Sequence, residues 1–344
     1  MSALAFDLEL SDAALRRIDQ ARDWHPDPKE WRAWHVFLHD PQAIDVFIAE
    51  DIAGVLGDVG EEGRDEESGF FIRYWENGPH IRLRLRGIDG DRFQRIGEIL
   101  RESARSRAAD LPPPVGGFGP RMQFDSWHPD PGALPWFEPG TVAEIAYEPE
   151  LRRYGGRHGL SVHERLFACS SRQVLPVIKA TLGGIGRRQG IAMALTATAI
   201  RTVCPDDRQI EAFLQIMARN WEGFVPDQKA AMQVVEKTYE GMGKSAKELI
   251  LNAFAEDPGE IANPVVARWS YTLREYFAEL GKLASAGLLV NPATGVPTAG
   301  DEESLQALQN MMFSQIHMHN NRLGILPQQE FQLANILFRV ITSQ

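Results

Sequence analysis

The chain has only two cysteines in 344 residues. Cys169 and Cys204 stand apart, with no CxxC pair and no histidine at metal-ligand spacing, which excludes a disulfide scaffold and suits a reducing compartment. No apolar run approaches the roughly 18 residues of a membrane span. The opening, MSALAFDLELSDAALRR, carries an acid where a signal peptide has its basic region. A cytoplasmic protein is expected, with no membrane partner. Lysine is scarce too, supplying seven of the 36 basic residues. A net charge of -11 leaves no basic field to displace counterions from a phosphate backbone, so nucleic acid is not an expected partner. Several catalytic signatures are missing. Gly184-x-Gly186-x-x-x-Gly190 misplaces the third glycine of a dinucleotide loop, and His163-Glu164 lacks the second histidine of a zinc helix. Nothing matches a Walker lysine loop or a nucleophile elbow, and Ser170-Ser171 shows no recognisable base partner.

What the chain does have is arginine, and in one place it is arranged as a comb. The stretch Gly69 to Arg86, GFFIRYWENGPHIRLRLR, reads as a hairpin in which Phe70 to Trp75 and His80 to Arg86 pair across Glu76 to Pro79. Alternation sends Ile81, Leu83 and Leu85 to one face of the second strand and Arg82, Arg84 and Arg86 to the other. Guanidiniums in a row suit a carboxylate or phosphate held by forked hydrogen bonds. They equally suit an exposed strand face paired with this acidic protein's own surface.

The remaining pattern predicts an α+β fold in one domain over 1–344: an N-terminal antiparallel sheet with flanking helices and a mainly helical C-terminal part. An extension covers 1–30, with a short helix at Asp12 to Ala21. A strand is expected at Trp34 to His39, helices at Pro41 to Leu56 and Asp91 to Ala109, and a short strand at Val142 to Tyr147. Helices then follow at Ser161 to Leu175, Gly190 to Val203, Arg208 to Trp221, Gln228 to Ala255, Ala262 to Ala286, Leu305 to His319 and Gln328 to Ile341. The stretches 57–68, 111–120 and 287–304 read as loops from their glycines, prolines and acids. The hexapeptides DWHPDP (23–28) and SWHPDP (126–131) have unlike surroundings and do not make a repeat.

Two further groups carry chemistry. In YEPELRRYGG, Glu150 and Arg153 are three residues apart and can share one side of a helical turn, as a site pair or as a plain surface ion pair. In SQIHMHNNRLG, His317 and Asn321 lie one helical turn apart with Arg322 adjacent, and His317 is the best acid/base candidate among nine histidines. His317 and His319 point apart on a helix, so no metal site is expected. His80 reads as a turn or capping residue.

Four segments in order, WRAWHVFL, FFIRYWENGPHIRLRLRG, YEPELRRYGG with HERLF, and SQIHMHNNRLGI, resemble the thiopeptide-type bacteriocin biosynthesis family. This is the C-terminal elimination domain of class I lantibiotic dehydratases, which also occurs as free-standing proteins. The resemblance runs from about Trp31 to the C-terminus. It implies a protein working in trans on a ribosomally made precursor peptide, beside a separate glutamylating protein that uses glutamyl-tRNA, with a homodimer allowed and no cofactor. By motif, Arg82, Arg84 and Arg153 would bind the glutamyl group, Glu150 would position an arginine or accept a proton, and His317 would shuttle the proton. Arg86, Asn321 and Arg322 join the substrate-binding set; base and acid are not assigned separately.

The same resemblance implies a rival activity, since free-standing members in thiopeptide pathways are pyridine synthases that join two dehydroalanines by a formal [4+2] cycloaddition and release the leader peptide. Such an enzyme has no glutamate to hold. Retention of Arg82, Arg84, Glu150, Arg153 and His317 together therefore favours elimination. A third reading is a non-catalytic scaffold that binds the leader, with acids such as Glu61 to Glu67 steering basic segments.

Overall fold

The computed structural model describes residues 31–61, 68–109, 111 and 136–343. The expected N-terminal helix, the 112–120 loop and both hexapeptides lie outside these residues. The described chain opens with strand β1 (Trp31–Phe37), helix α1 (Pro41–Phe47), a π-turn (Ile48–Ile52) and α2 (Ala53–Glu61). The hairpin follows as β2 (Gly69–Tyr74) and β3 (His80–Arg86), then α3 (Gly90–Ala108) and β4 (Val142–Glu144). The rest is helical: α4 (Gly156–Ala180), α5 (Ile185–Val203), α6 (Asp207–Trp221), α7 (Gln228–Gly241), α8 (Lys244–Ala253), α9 (Pro264–Ser285), α10 (Gly300–Leu323) and α11 (Pro327–Thr342). The fold is therefore α+β with a four-stranded antiparallel sheet in the order β2-β3-β1-β4. No described helix is long and apolar enough to cross a membrane.

Sequence chemistry accounts for the element ends. Asp40, Asp89, Asp206 and Asp227 cap α1, α3, α6 and α7 by accepting a backbone N–H, and Asn263 caps α9. The one helix expected over Gln228 to Ala255 is two, α7 and α8. The break falls at Met242 and Gly243, which take extended backbone, because glycines on both sides of Met242 weaken the helix there. The strand expected to reach Tyr147 stops at Glu144, releasing Tyr147 to turn into the interior.

One face of the sheet, with Trp34, Val36, Phe71, Ile81, Leu83 and Leu85, packs on α1 and α3 through Phe47, Phe93 and Leu100 and joins the main core of the helical part. The other face carries a separate small cluster: Trp31, Ala33, Phe70, Tyr147, Tyr154, Leu160 and Phe167. Helix α4 brings Leu160 and Phe167 over this second face. Its start depends on Gly155 and Gly156 at φ 83° and 79°, where an added Cβ would come within 2.7 Å of Leu289 and 2.6 Å of Val290.

Candidate functional site

The arginine comb lies on the second face, opposite Ile81, Leu83 and Leu85, as alternation requires. It is not an exposed strand face, because aromatic rings cover it. The Arg82 guanidinium lies 3.5 Å from the Tyr74 ring centre, and its Nε donates to His80 Nε2 at 3.1 Å. Arg84 lies 4.5 Å from the Tyr147 centre and 5.3 Å from Phe70, and Arg86 lies 5.6 Å from Trp31. Stacked arginines keep their forks pointing along the rings and lose little rotamer freedom on binding. The nearest acid to Arg82 is Glu76, at 3.5 Å. Arg84 forms no ion pair with any described carboxylate, and its Nε is shielded from solvent without a hydrogen-bond partner.

The turn before α4 adds the second arginine group. Arg153 Nη1 donates to Glu150 Oε2 at 3.1 Å, and Arg153 Nε donates to Ser314 Oγ of α10 at 3.3 Å. The charge of Glu150 reaches both Arg82 and Arg84 and partly offsets the burial that lowers their pKa values. Arg82, Arg84, Glu150 and Arg153 are thus one constellation, and Arg86 closes its far end beside Trp31.

The C-terminal residues divide. His317 is buried, with its ring 4.8 Å from Trp221 and its Nδ1 2.6 Å from Glu330 Oε1, and Glu330 also accepts from Asn320 Nδ2 at 3.2 Å. At 100° per residue, Ser314, His317 and Asn321 fall within about 60° on α10; Ser314 meets Arg153 and Asn321 meets β2, while the His317 ring lies against Trp221 and Glu330. Asn321 and Arg322 have structural partners. Asn321 bonds the Arg73 backbone, and Arg322 donates to the Phe71 carbonyl, Ser170, Ser171 and the Met318 carbonyl. Ser170, which showed no base partner in sequence, lies 2.9 Å from His319 Nδ1. Both are buried and burial pushes His319 down to about 3, which makes this a packed polar contact. His80 Nδ1 meets the Gly78 carbonyl at 2.8 Å and closes the hairpin turn, where Asn77 and Gly78 have positive φ. Among the described residues no group of three His, Cys, Asp or Glu could hold a metal ion.

Three neighbours of the comb escaped the sequence reading. His35 pairs across β1 and β3 with Arg82 and stacks on His80 at 4.8 Å; burial, then the charge of Arg82, push it to about 2, so it stays neutral. Tyr147 forms a wall of the comb. Glu164 of α4 is 1% exposed, and burial raises its carboxyl to about 7 against hydrogen bonds from Tyr147 and Trp31 and the charges of Arg86 and Arg84. A signal for Glu164 was present: it stands at i+4 from Leu160 and i−3 from Phe167, an acid on the apolar stripe of a helix.

Fold and site together define an α+β protein with a half-buried, aromatic-walled row of arginines on one face of its sheet. Residues 31–341 match the family model described as lantibiotic biosynthesis dehydratase C-term, and the chain belongs to that family. Among solved structures, the chain is similar to "Pyridine synthase, TbtD, from thiomuracin biosynthesis", with 15% identity, TM-score 0.65, and coverage of 91% of this chain and 98% of that one. TsrL is similar at 17% identity and TM-score 0.62, over 91% of this chain and 95% of that one. The tRNA-dependent lantibiotic dehydratase MibB from Microbispora sp. 107891 is similar at 16% identity and TM-score 0.57; the match covers 93% of this chain but only 29% of MibB. At these identities the likeness is one of fold. No curated protein is significantly similar in sequence.

Proposed function

We propose that the protein eliminates glutamate from glutamylated Ser or Thr residues of a ribosomally made precursor peptide, leaving dehydroalanine or dehydrobutyrine. The observation that carries this reading is Arg84. It is an arginine held between Tyr147 and Phe70, with no carboxylate partner and a shielded, unsatisfied Nε, beside Arg82 and the Glu150–Arg153 pair. An unpaired, partly desolvated guanidinium is costly unless a ligand anion completes it, and a glutamyl ester formed from glutamyl-tRNA keeps its side-chain carboxylate free.

The chemistry has two parts. A base removes the Cα proton, and the electron pair left behind forms the Cα=Cβ bond. The Cβ–O bond breaks as that double bond forms, and glutamate departs as a carboxylate with the Cβ–O bonding pair. The comb would hold the glutamyl carboxylate and offset the charge of the departing one. His317, oriented by Glu330, would take the proton, with Glu150 fixing Arg153. A separate glutamylating protein would supply the substrate.

The second reading is a pyridine synthase, favoured by the chain's near full-length match to TbtD. Mass spectrometry of the protein with a glutamylated precursor and, in parallel, with a fully dehydrated one separates the two. Loss of glutamate from the first supports the eliminase. A ring-containing product and free leader from the second alone replaces it with the synthase.

A further inference from the structure

Two complementary groups meet the same side chain, Tyr147, without being joined to each other. On β3, Arg84 has a buried Nε with no acceptor; on α4, Glu164 has a buried Oε2 with no donor. They feel each other's charge yet form no hydrogen bond or ion pair. The hydroxyl of Tyr147 and the indole N–H of Trp31 hydrogen-bond to the Glu164 carboxyl, which ties it to the rings on which Arg84 and Arg86 stack. A carboxyl in this place either is neutral, leaving the arginines their full charge, or is an internal anion that competes for them.

We infer that Glu164 is the counter-charge that sets how tightly the comb holds a carboxylate: protonated, it leaves the arginines to the ligand, and ionised, it weakens that binding. The inference rests on the comb being a carboxylate site, as the proposed elimination requires. Glu164 acts through Arg84 and Arg86 and is a positioning residue.

Burial fixes the charge of several groups around the comb through the neutral range. His35 and His80 are pushed down to about 2 and about 3, chiefly by burial, and stay neutral. Tyr74, Tyr147 and Tyr154 are raised by burial and stay neutral as well. Arg82, Arg84 and Arg153 remain cationic, and burial lowers Arg322 of α10 to about 9, still above the neutral range. Glu164, at about 7, changes charge there; Glu76 and Glu150 are the other acids beside the comb, and His317 of α10 is the remaining acid/base group of the site. Linkage then demands reciprocity. If ionising Glu164 weakens the anion, binding the anion must raise the Glu164 pKa and take up a proton.

The test is calorimetric titration of the full chain with L-glutamate, in buffers of differing ionisation heat, from about pH 6 to about pH 8; one unit of coupled pKa corresponds to up to about a tenfold fall in affinity. The wild-type protein is expected to lose affinity by up to that factor and to take up a fraction of a proton near neutrality. Glu164→Gln is expected to lose most of the pH dependence and most of the proton uptake, and a folded variant as pH-dependent as the wild type overturns the assignment to Glu164. Glutamate binding by the wild type without proton uptake overturns the counter-charge while leaving the carboxylate site standing. No glutamate binding at any pH overturns the carboxylate site, and the counter-charge with it. These last two readings come from the wild type, so they survive failure of the variant to fold.

Discussion

The side-chain amide of Asn321 pairs with the backbone of Arg73 in both directions. Arg73 N donates to Asn321 Oδ1, and Asn321 Nδ2 donates to the Arg73 carbonyl, each at 2.9 Å. Two residues along β2, Phe71 N donates to Ser171 Oγ at 3.1 Å, and Arg322 Nε donates to the Phe71 carbonyl at 2.9 Å. Side chains from α4 and α10 thus take the place of a fifth strand on this edge of the sheet, anchoring the two helices to the sheet that bears the comb.

Asn321→Ala strips one donor and one acceptor of Arg73 of their partners at a part-buried edge. At about 1 to 3 kcal/mol for an unsatisfied buried polar group, the variant is expected to lose about 2 kcal/mol of stability. Denaturant unfolding checks this, and a change below a few tenths of a kcal/mol would show that water replaces the amide.

Arg84→Lys keeps the charge but loses the fork and the stacking on Tyr147 and Phe70. Elimination is expected to fall by about two orders of magnitude, equivalent to about 3 kcal/mol of transition-state stabilisation, with thermal stability almost unchanged. Steady-state assay beside a melting curve separates that result from misfolding.

Glu164 also makes stability depend on pH. Its folded pKa of about 7 lies above the ordinary 4.5, so the folded state holds the proton more tightly than the unfolded chain. The resulting stabilisation is complete below about pH 4.5 and is lost as pH rises through about 7, an effect on the order of 3 kcal/mol. Glu330, also raised by burial, has the same sign. Denaturant unfolding at stepped pH should show Glu164→Gln gaining on the wild type between these limits; parallel curves would contradict the raised pKa.

Between α4 and α9, Arg165 Nη2 lies 2.6 Å from Glu279 Oε1, with both side chains buried. Glu279→Ala is expected to cost about 3 to 5 kcal/mol, while replacing both with apolar residues of similar volume is expected to be nearly neutral. A double-mutant cycle by chemical denaturation measures the difference.

Much of this was legible in the chain. The comb follows from period-two alternation, the Glu150–Arg153 pair from three-residue spacing, and most helices from apolar periodicity and Asp or Asn caps. What stayed hidden depends on packing between segments distant in sequence. Nothing local tells that Tyr147 leaves its strand to wall Arg84, or that His319 meets Ser170 from 149 residues away. The polar character of Asn321 and Arg322 suggested substrate contacts; their hydrogen bonds run to a strand edge only the folded sheet creates. Glu164 was visible as an acid on an apolar stripe, but its raised pKa needs the burial that α4 acquires against the sheet.

The most direct test of the central claim is to follow free glutamate and peptide mass together when the wild-type protein and Arg84→Lys act on a glutamylated precursor peptide. The account predicts stoichiometric release of glutamate with one new dehydroamino acid per glutamate lost by the wild type, and a severe loss of both signals in the variant. Equal release by the two proteins, or an unchanged glutamylated peptide beside a ring-containing product from dehydrated precursor, would contradict it.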